Sequence, residues 1–143
     1  MNDLRGISHN KKAIVLGGTH PHIQLLKNLS RRGYKTILVD YYENPCAKPY
    51  ADIHIQESTL NRDLVLEIAK KENASLVMSA CVDQANLIAC SVAGELGLPH
   101  PYNNDVARVV TNKLLMKAFM VQNGVPTSPF VSIRAPFQST DLS

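Results

Sequence analysis

Ala13-Ile14-Val15-Leu16-Gly17-Gly18-Thr19-His20-Pro21-His22 decides the fold. Its first four residues are apolar without a break. A run of strand length with no polar alternation is buried on both faces, as in a central parallel strand. Gly17-Gly18 stops the run, and Pro21 stands at a first helical position, where its missing N–H costs nothing. Ile23, Leu25, Leu26 and Leu29 then recur at helical spacing, and Gly33 closes that helix. Thr36-Ile37-Leu38-Val39 is a second buried strand, ended by Asp40. Together they form one strand–helix–strand unit.

The same alternation continues outward. Tyr41–Tyr50 carries Asn44-Pro45 and Pro49 and reads as a loop. Asp52–Ile55 is expected to be a short third strand. Leu60, Leu64, Val65, Ile68 and Ala69 form a helical stripe with Glu67, Lys70 and Glu72 on its wet side. Leu76-Val77-Met78 is a fourth strand. Ala85, Ile88, Ala89, Val92, Ala93 and Leu96 mark a helix stopped by Gly97. Asp105 is expected to cap a short helix through Val110, and a longer one is expected over Asn112–Asn123. Thr127–Ser143 has no clear period, and residues 1–11 read as a loose leader. The expected architecture is α/β: a Rossmann-like three-layer αβα fold on a parallel sheet of four to five strands.

Composition narrows the function. The 143 residues are 45% apolar and 19% charged, which excludes a disordered or fibrous chain. The net charge of +3 is scattered in pairs such as Lys11-Lys12 and Arg31-Arg32 instead of a stripe, so nucleic acid is not an expected partner. No segment approaches the ~20 apolar residues that span a bilayer, and no signal peptide precedes the first strand, so a cytoplasmic protein is expected. The three cysteines, Cys46, Cys81 and Cys90, lack CxxC spacing and read as reduced thiols.

In parallel sheets ligands sit beyond the carboxyl ends of the strands. The loop after Leu16 offers Gly17, Gly18, Thr19 and His20; its glycines let backbone approach a ligand, or serve only the turn. Asp40 follows Gly17 by 23 residues, near the spacing of a ribose-binding acid. The third glycine of a dinucleotide fingerprint is missing, however, and His20-Pro21-His22 crowds the pyrophosphate position. A non-catalytic dinucleotide-binding module using Gly17 and Asp40 therefore stands as the alternative reading. His20 and His22 lack a third nearby ligand, so no metal site is assigned; His20, at the loop tip, is the better candidate for touching substrate. Cys81 lacks an evident base and reads as a packed thiol. Asp83 and Gln84 either begin a helix or meet a ligand. Lys113 and Lys117 share a helix face, where a solvated basic face is a better reading than a phosphate clamp. No GxSxG or P-loop motif occurs, and no catalytic residue is assigned.

Four blocks in order resemble the N-terminal (pre-ATP-grasp) domain of ATP-grasp ligases, the family of carbamoyl phosphate synthetase and biotin carboxylase. Ala13–Thr19 resembles its opening strand and glycine loop. Leu38–Ala47 with Tyr50-Ala51-Asp52 resembles its Asp…Pro…Ala-Asp segment. Asp83-Gln84 with Glu95-Leu96-Gly97-Leu98-Pro99 resembles its acid-plus-helix and LGLP turn. Thr111–Lys117 with Gly124–Pro129 resembles the hinge into the nucleotide-binding half, with Asn112 where Asp is common.

The resemblance implies a pre-ATP-grasp domain over 12–111 and a hinge helix opening the ATP-grasp domain over 112–143. It implies a ligase that uses ATP and Mg²⁺ to activate a small carboxylate as an acyl phosphate. This chain would supply Gly17, Gly18, Thr19, His20 and Asp83 to the substrate and Lys113 to ATP phosphate. It would be inactive alone and would bind no cofactor tightly. Its partner would be the remaining ATP-grasp domain, in cis or as the other subunit of a split ligase. That partner, or a second copy in a homodimer, would dock near Leu114, Phe119 and Phe130.

Overall fold

The computed structural model describes residues 11–133. The expected leader, but for Lys11, and the tail from 134 onward lie outside the described residues. The strands are β1 (Lys12–Leu16), β2 (Lys35–Asp40), β3 (Ile53–Gln56) and β4 (Leu76–Ser79). The helices are α1 (His20–Arg31), α2 (Arg62–Lys71), α3 (Asp83–Glu95), α4 (Asn104–Thr111) and α5 (Lys113–Gln122), with one 3₁₀ turn at Lys48–Tyr50.

All pairings are parallel, in the order β3-β2-β1-β4. Ile14, the centre of β1, lies between Ile37 and Val77. Residues 13–16 are fully buried because successive side chains enter opposite layers. Ile14 and Leu16 join Ile37, Val39 and Val77 against Val65, Ile68 and Ala69 of α2 and Ala85, Ala89, Val92 and Ala93 of α3. Ala13 and Val15 join Leu38 against Leu26 and Leu29 of α1 and Ala47. Each fully buried Val, Leu or Ile stabilises the fold by roughly 1.5–3 kcal/mol relative to exposure. The sandwich is therefore αβα, with α2 and α3 on one face and α1 with the 3₁₀ segment on the other.

The chain moves from β1 to β2 to β3 in one direction, then crosses under α2 to put β4 on the far side of β1. The strand order thus reverses between β1 and β4, and the crevice of such a sheet opens at that point.

Two local features differ from the sequence reading. α4 is capped by Asn103, whose side chain accepts from the Val106 N–H at 2.9 Å; Asp105 lies inside the first turn. α1 opens at His20, with Thr19 as its N-cap residue and Pro21 second. The four strands agree with the expected parallel sheet of four to five.

Asp52 explains its place in the Ala-Asp segment. Its carboxylate accepts from the N–H and the hydroxyl of Thr36 at 2.7 and 2.9 Å, and its own N–H donates to Thr36 Oγ1 at 3.1 Å. This clasp sets the entry of β3 beside β2. On the opposite layer Arg62 of α2 bonds Ser91 Oγ at 2.9 Å and pairs with Glu95 of α3. Asp52→Ala removes two bonds to a charged acceptor and should cost about 2–3 kcal/mol in urea unfolding. Amide exchange should rise first in Ile53–Gln56; equal protection in both proteins would contradict the clasp.

Candidate functional site

The loops that leave β1 and β4 are tied together by the His22 side chain. His22, on the first turn of α1, is fully buried. Its Nε2 faces the Ala80 N–H at 3.3 Å, and its Nδ1 faces the Thr19 N–H at 3.2 Å and Thr19 Oγ1 at 2.8 Å. A backbone N–H can only donate, so the ring meets a donor at each nitrogen, and a ring protonated on both nitrogens would have no lone pair for either. Ser79 Oγ adds a second tie across the two strands, donating to the Leu16 carbonyl at 2.7 Å. The loops after β1 and β4 are thereby one unit.

Burial pushes the His22 pKa down, against the pull of its contact with Thr19 and of the Asp40 charge. A ring protonated on both nitrogens would also oppose the Thr19 and Ala80 N–H groups.

Gly17 and Gly18 are buried and their amides are committed. The Gly17 N–H donates to the Val39 carbonyl at 2.9 Å, and the Gly18 N–H to Asp40 Oδ2 at 2.6 Å. Gly17 has φ +102°, and a Cβ there would stand 2.9 Å from the His22 ring. A Cβ on Gly18 would stand 2.4 Å from Pro45 Cβ. The loop after β2 returns over Gly18, and the Ala47 N–H donates to the Gly18 carbonyl at 3.0 Å. Both glycines permit close packing beneath the loop, while Thr19 and His20 are its exposed members.

Asp40 is committed to the same loop. It is only 7% exposed, and its second oxygen accepts from the Tyr42 N–H at 2.8 Å. A carboxylate holding two loop amides is not poised for a ribose, which removes the main support for the dinucleotide alternative.

Around the crevice, Cys81 is exposed with φ +61°, a left-handed backbone that a side chain rarely adopts; it is not a packed thiol. Asp83 begins α3, in the first turn, and lies 4.0 Å from the Lys113 ammonium at the start of α5. Two expected site residues from distant parts of the chain thus meet. Both side chains are more than 60% exposed, so the pair orients the lysine more than it stabilises the fold. Lys117 is occupied elsewhere. Its ammonium donates to Thr127 Oγ1, the Ser128 carbonyl and Ser128 Oγ, and lies 5.5 Å from the Phe130 ring centre. The two lysines form no clamp: Lys117 fastens the chain after α5, and Lys113 remains presented. Asn112 caps α5, accepting from the Leu114 and Leu115 amides at 3.0 and 3.1 Å.

Sequence reading missed the bridging role of His22 and the contact between His20 and Cys46. The first had a signal, a histidine three residues after a threonine cap, in the position where a capping box ordinarily has Glu or Gln. The second had none, since the two residues are 26 apart in sequence.

No family model and no curated protein matches this chain. Solved structures do. N5-carboxyaminoimidazole synthetase from Staphylococcus aureus, complexed with ADP, superposes with a TM-score of 0.74 at 17% identity, over 92% of this chain and 34% of that one. Glycinamide-RNase-transformylase T from Mycobacterium tuberculosis gives 0.71 at 18% identity, over 83% and 34%. The biotin carboxylase domain of a single-chain bacterial carboxylase gives 0.65 at 14%, over 88% and 32%. The fold is that of the N-terminal domain of ATP-grasp enzymes. The chain spans about a third of the length of the solved structures it matches.

The unfolded chain protonates a histidine near pH 6.5, and folded His22 only at lower pH. Its contribution to stability is therefore complete above that value and is lost as the pH falls below it. Urea unfolding should show the fall in the parent protein. His22→Gln should lower stability at neutral pH by about 1–3 kcal/mol and flatten the acid-side decline. An unchanged decline would contradict the neutral bridge.

Proposed function

We propose that this chain is the N-terminal, substrate-positioning domain of an ATP-grasp carboxylate–amine or carboxylate–thiol ligase, with the domain over 12–111 and the hinge from 112. The observation that carries the reading is the shared crevice edge. In a fold common to the N-terminal third of such enzymes, Thr19 and His20 are exposed at the end of β1. Asp83 follows β4, the adjacent strand, and holds Lys113 beside it.

In the whole enzyme, a carboxylate oxygen would attack the terminal phosphorus of ATP. The acyl phosphate would then lose phosphate to an amine or thiol. Activation and attack become two easier steps, and this domain contributes by fixing the small substrate in place. Thr19 and His20 supply hydrogen bonds to it, Asp83 orients Lys113, and the Lys113 ammonium meets phosphate charge. Gly17 and Gly18 set the height of the loop from below.

Mg²⁺ would neutralise phosphate in such a reaction. Among the described residues no three His, Cys, Asp or Glu side chains stand close enough to hold a metal ion between them, so those residues make no complete protein cage for Mg²⁺. Those ligands belong to the nucleotide-binding half, in cis or in trans. Its docking face is α5, which has no buried residue; Leu114, Phe119 and Phe130 are 42%, 53% and 37% exposed. No helix among the described residues is long and apolar enough to cross a membrane, which suits a cytoplasmic ligase.

Calorimetric titration of the isolated chain with ATP and Mg²⁺ should give no tight binding and no turnover. Once the nucleotide-binding half is supplied, Lys113→Ala should weaken ATP about tenfold, the loss of one charged hydrogen bond. Tight binding and turnover by the isolated chain would refute the reading.

A further inference from the structure

Pro45-Cys46-Ala47 lies directly over the glycine loop. Pro45 is buried against Gly18, and the Ala47 N–H is bonded to the Gly18 carbonyl, so the backbone on both sides of Cys46 is fixed. Cys46 itself is exposed. Its Sγ lies 3.2 Å from the Gly18 carbonyl oxygen and 3.5 Å from Nδ1 of His20, which is also exposed. The thiol is thus held between two acceptors on a rigid support, and one of them is a base. The other cysteines provide contrast. Cys81 is exposed with no hydrogen-bond partner among the described residues, and Cys90 is buried, with its pKa pushed up by that burial.

We propose that Cys46, paired with His20, is the reactive thiol of this chain and a site of mixed-disulfide formation with low-molecular-weight disulfides. In the step, His20 Nδ1 takes the proton from Sγ, which requires the ring proton on Nε2. The thiolate attacks one sulfur of the small disulfide. The new bond joins Sγ to that sulfur as the old S–S bond breaks. The departing thiolate takes the proton back from His20. Cys46 is oxidised, half of the small disulfide is reduced to a thiol, and excess thiol reverses the exchange.

The adduct would stand over Thr19 and His20 and close the exposed mouth of the loop. That consequence rests on the substrate site proposed above, whereas the reactivity of the thiol does not. Occupation of Cys46 would then act as a reversible block on substrate entry.

The test uses the full chain, with no nucleotide present. Iodoacetamide at neutral pH, followed by site-resolved mass spectrometry, should label Cys46 about tenfold faster than Cys81, a modest part of what a positioned base supplies. Cys90 should stay unlabelled until the chain unfolds. Oxidised glutathione should form its adduct at Cys46 and release it with reductant. His20→Asn should remove the advantage of Cys46 while leaving the Cys81 rate and the melting temperature unchanged. Equal rates at Cys46 and Cys81 would overturn the proposal, as would a Cys46 rate indifferent to His20→Asn. If that variant fails to fold, the comparison of the two thiols in the parent protein still decides.

Discussion

A single neutral imidazole holds together the part of the sheet on which everything else depends. β1 and β4 are neighbours, but the chain leaves them toward opposite faces, and nothing in strand pairing alone prevents their loops from separating. His22 spans that divergence, meeting the cap residue of α1 with Nδ1 and the loop after β4 with Nε2. The ring must be uncharged, because an imidazolium has no lone pair left for a backbone N–H. Burial supplies the condition by penalising the charged form. Thr19, Cys81 and Asp83 are positioned relative to one another through this ring.

The glycine loop shows how a motif can be read correctly for shape and wrongly for contact. Two glycines after a buried strand commonly leave amides free for an anion. Here every amide from Gly17 to Thr19 meets an acceptor within the fold: the Val39 carbonyl, the Asp40 carboxylate and the His22 ring. The glycines are needed because Pro45 and His22 approach closer than a Cβ allows. What remains for a ligand is a surface of side chains, and its selectivity must come from Thr19, His20 and whatever stands opposite.

Much of the architecture was legible because it rests on local apolar pattern. β1 and β2 carry unbroken buried runs, and the stripes of α2 and α3 repeat with helical period, so their faces follow from the residues alone. Less was legible where side-chain hydrogen bonds decide. Asn103 rather than Asp105 caps α4 because the cap must precede the helix with extended backbone. The commitment of Asp40 to Gly18 depends on how the loop after β2 folds back, which no periodicity reports. The meeting of Asp83 with Lys113 follows from α4 packing on α3 and α5 on α4, a path that spacing does not encode. Cys81 reads as packed because no base is evident beside it, yet the turn after β4 leaves it exposed.

Asn112 serves two helices at once. It is the extended C-cap residue that follows α4 and the side-chain cap of α5. A corner made this way has no slack residue in it, so α4 and α5 act as a stiff bracket instead of a loose joint. α5 extends from that corner as a rod about 15 Å long, and Lys117 ties the following strand of chain back along it. Any load applied beyond Gly124 is therefore carried as leverage to the Asp83–Lys113 end rather than absorbed on the way. Forces on the far segment and the electrostatics of the crevice become mechanically linked.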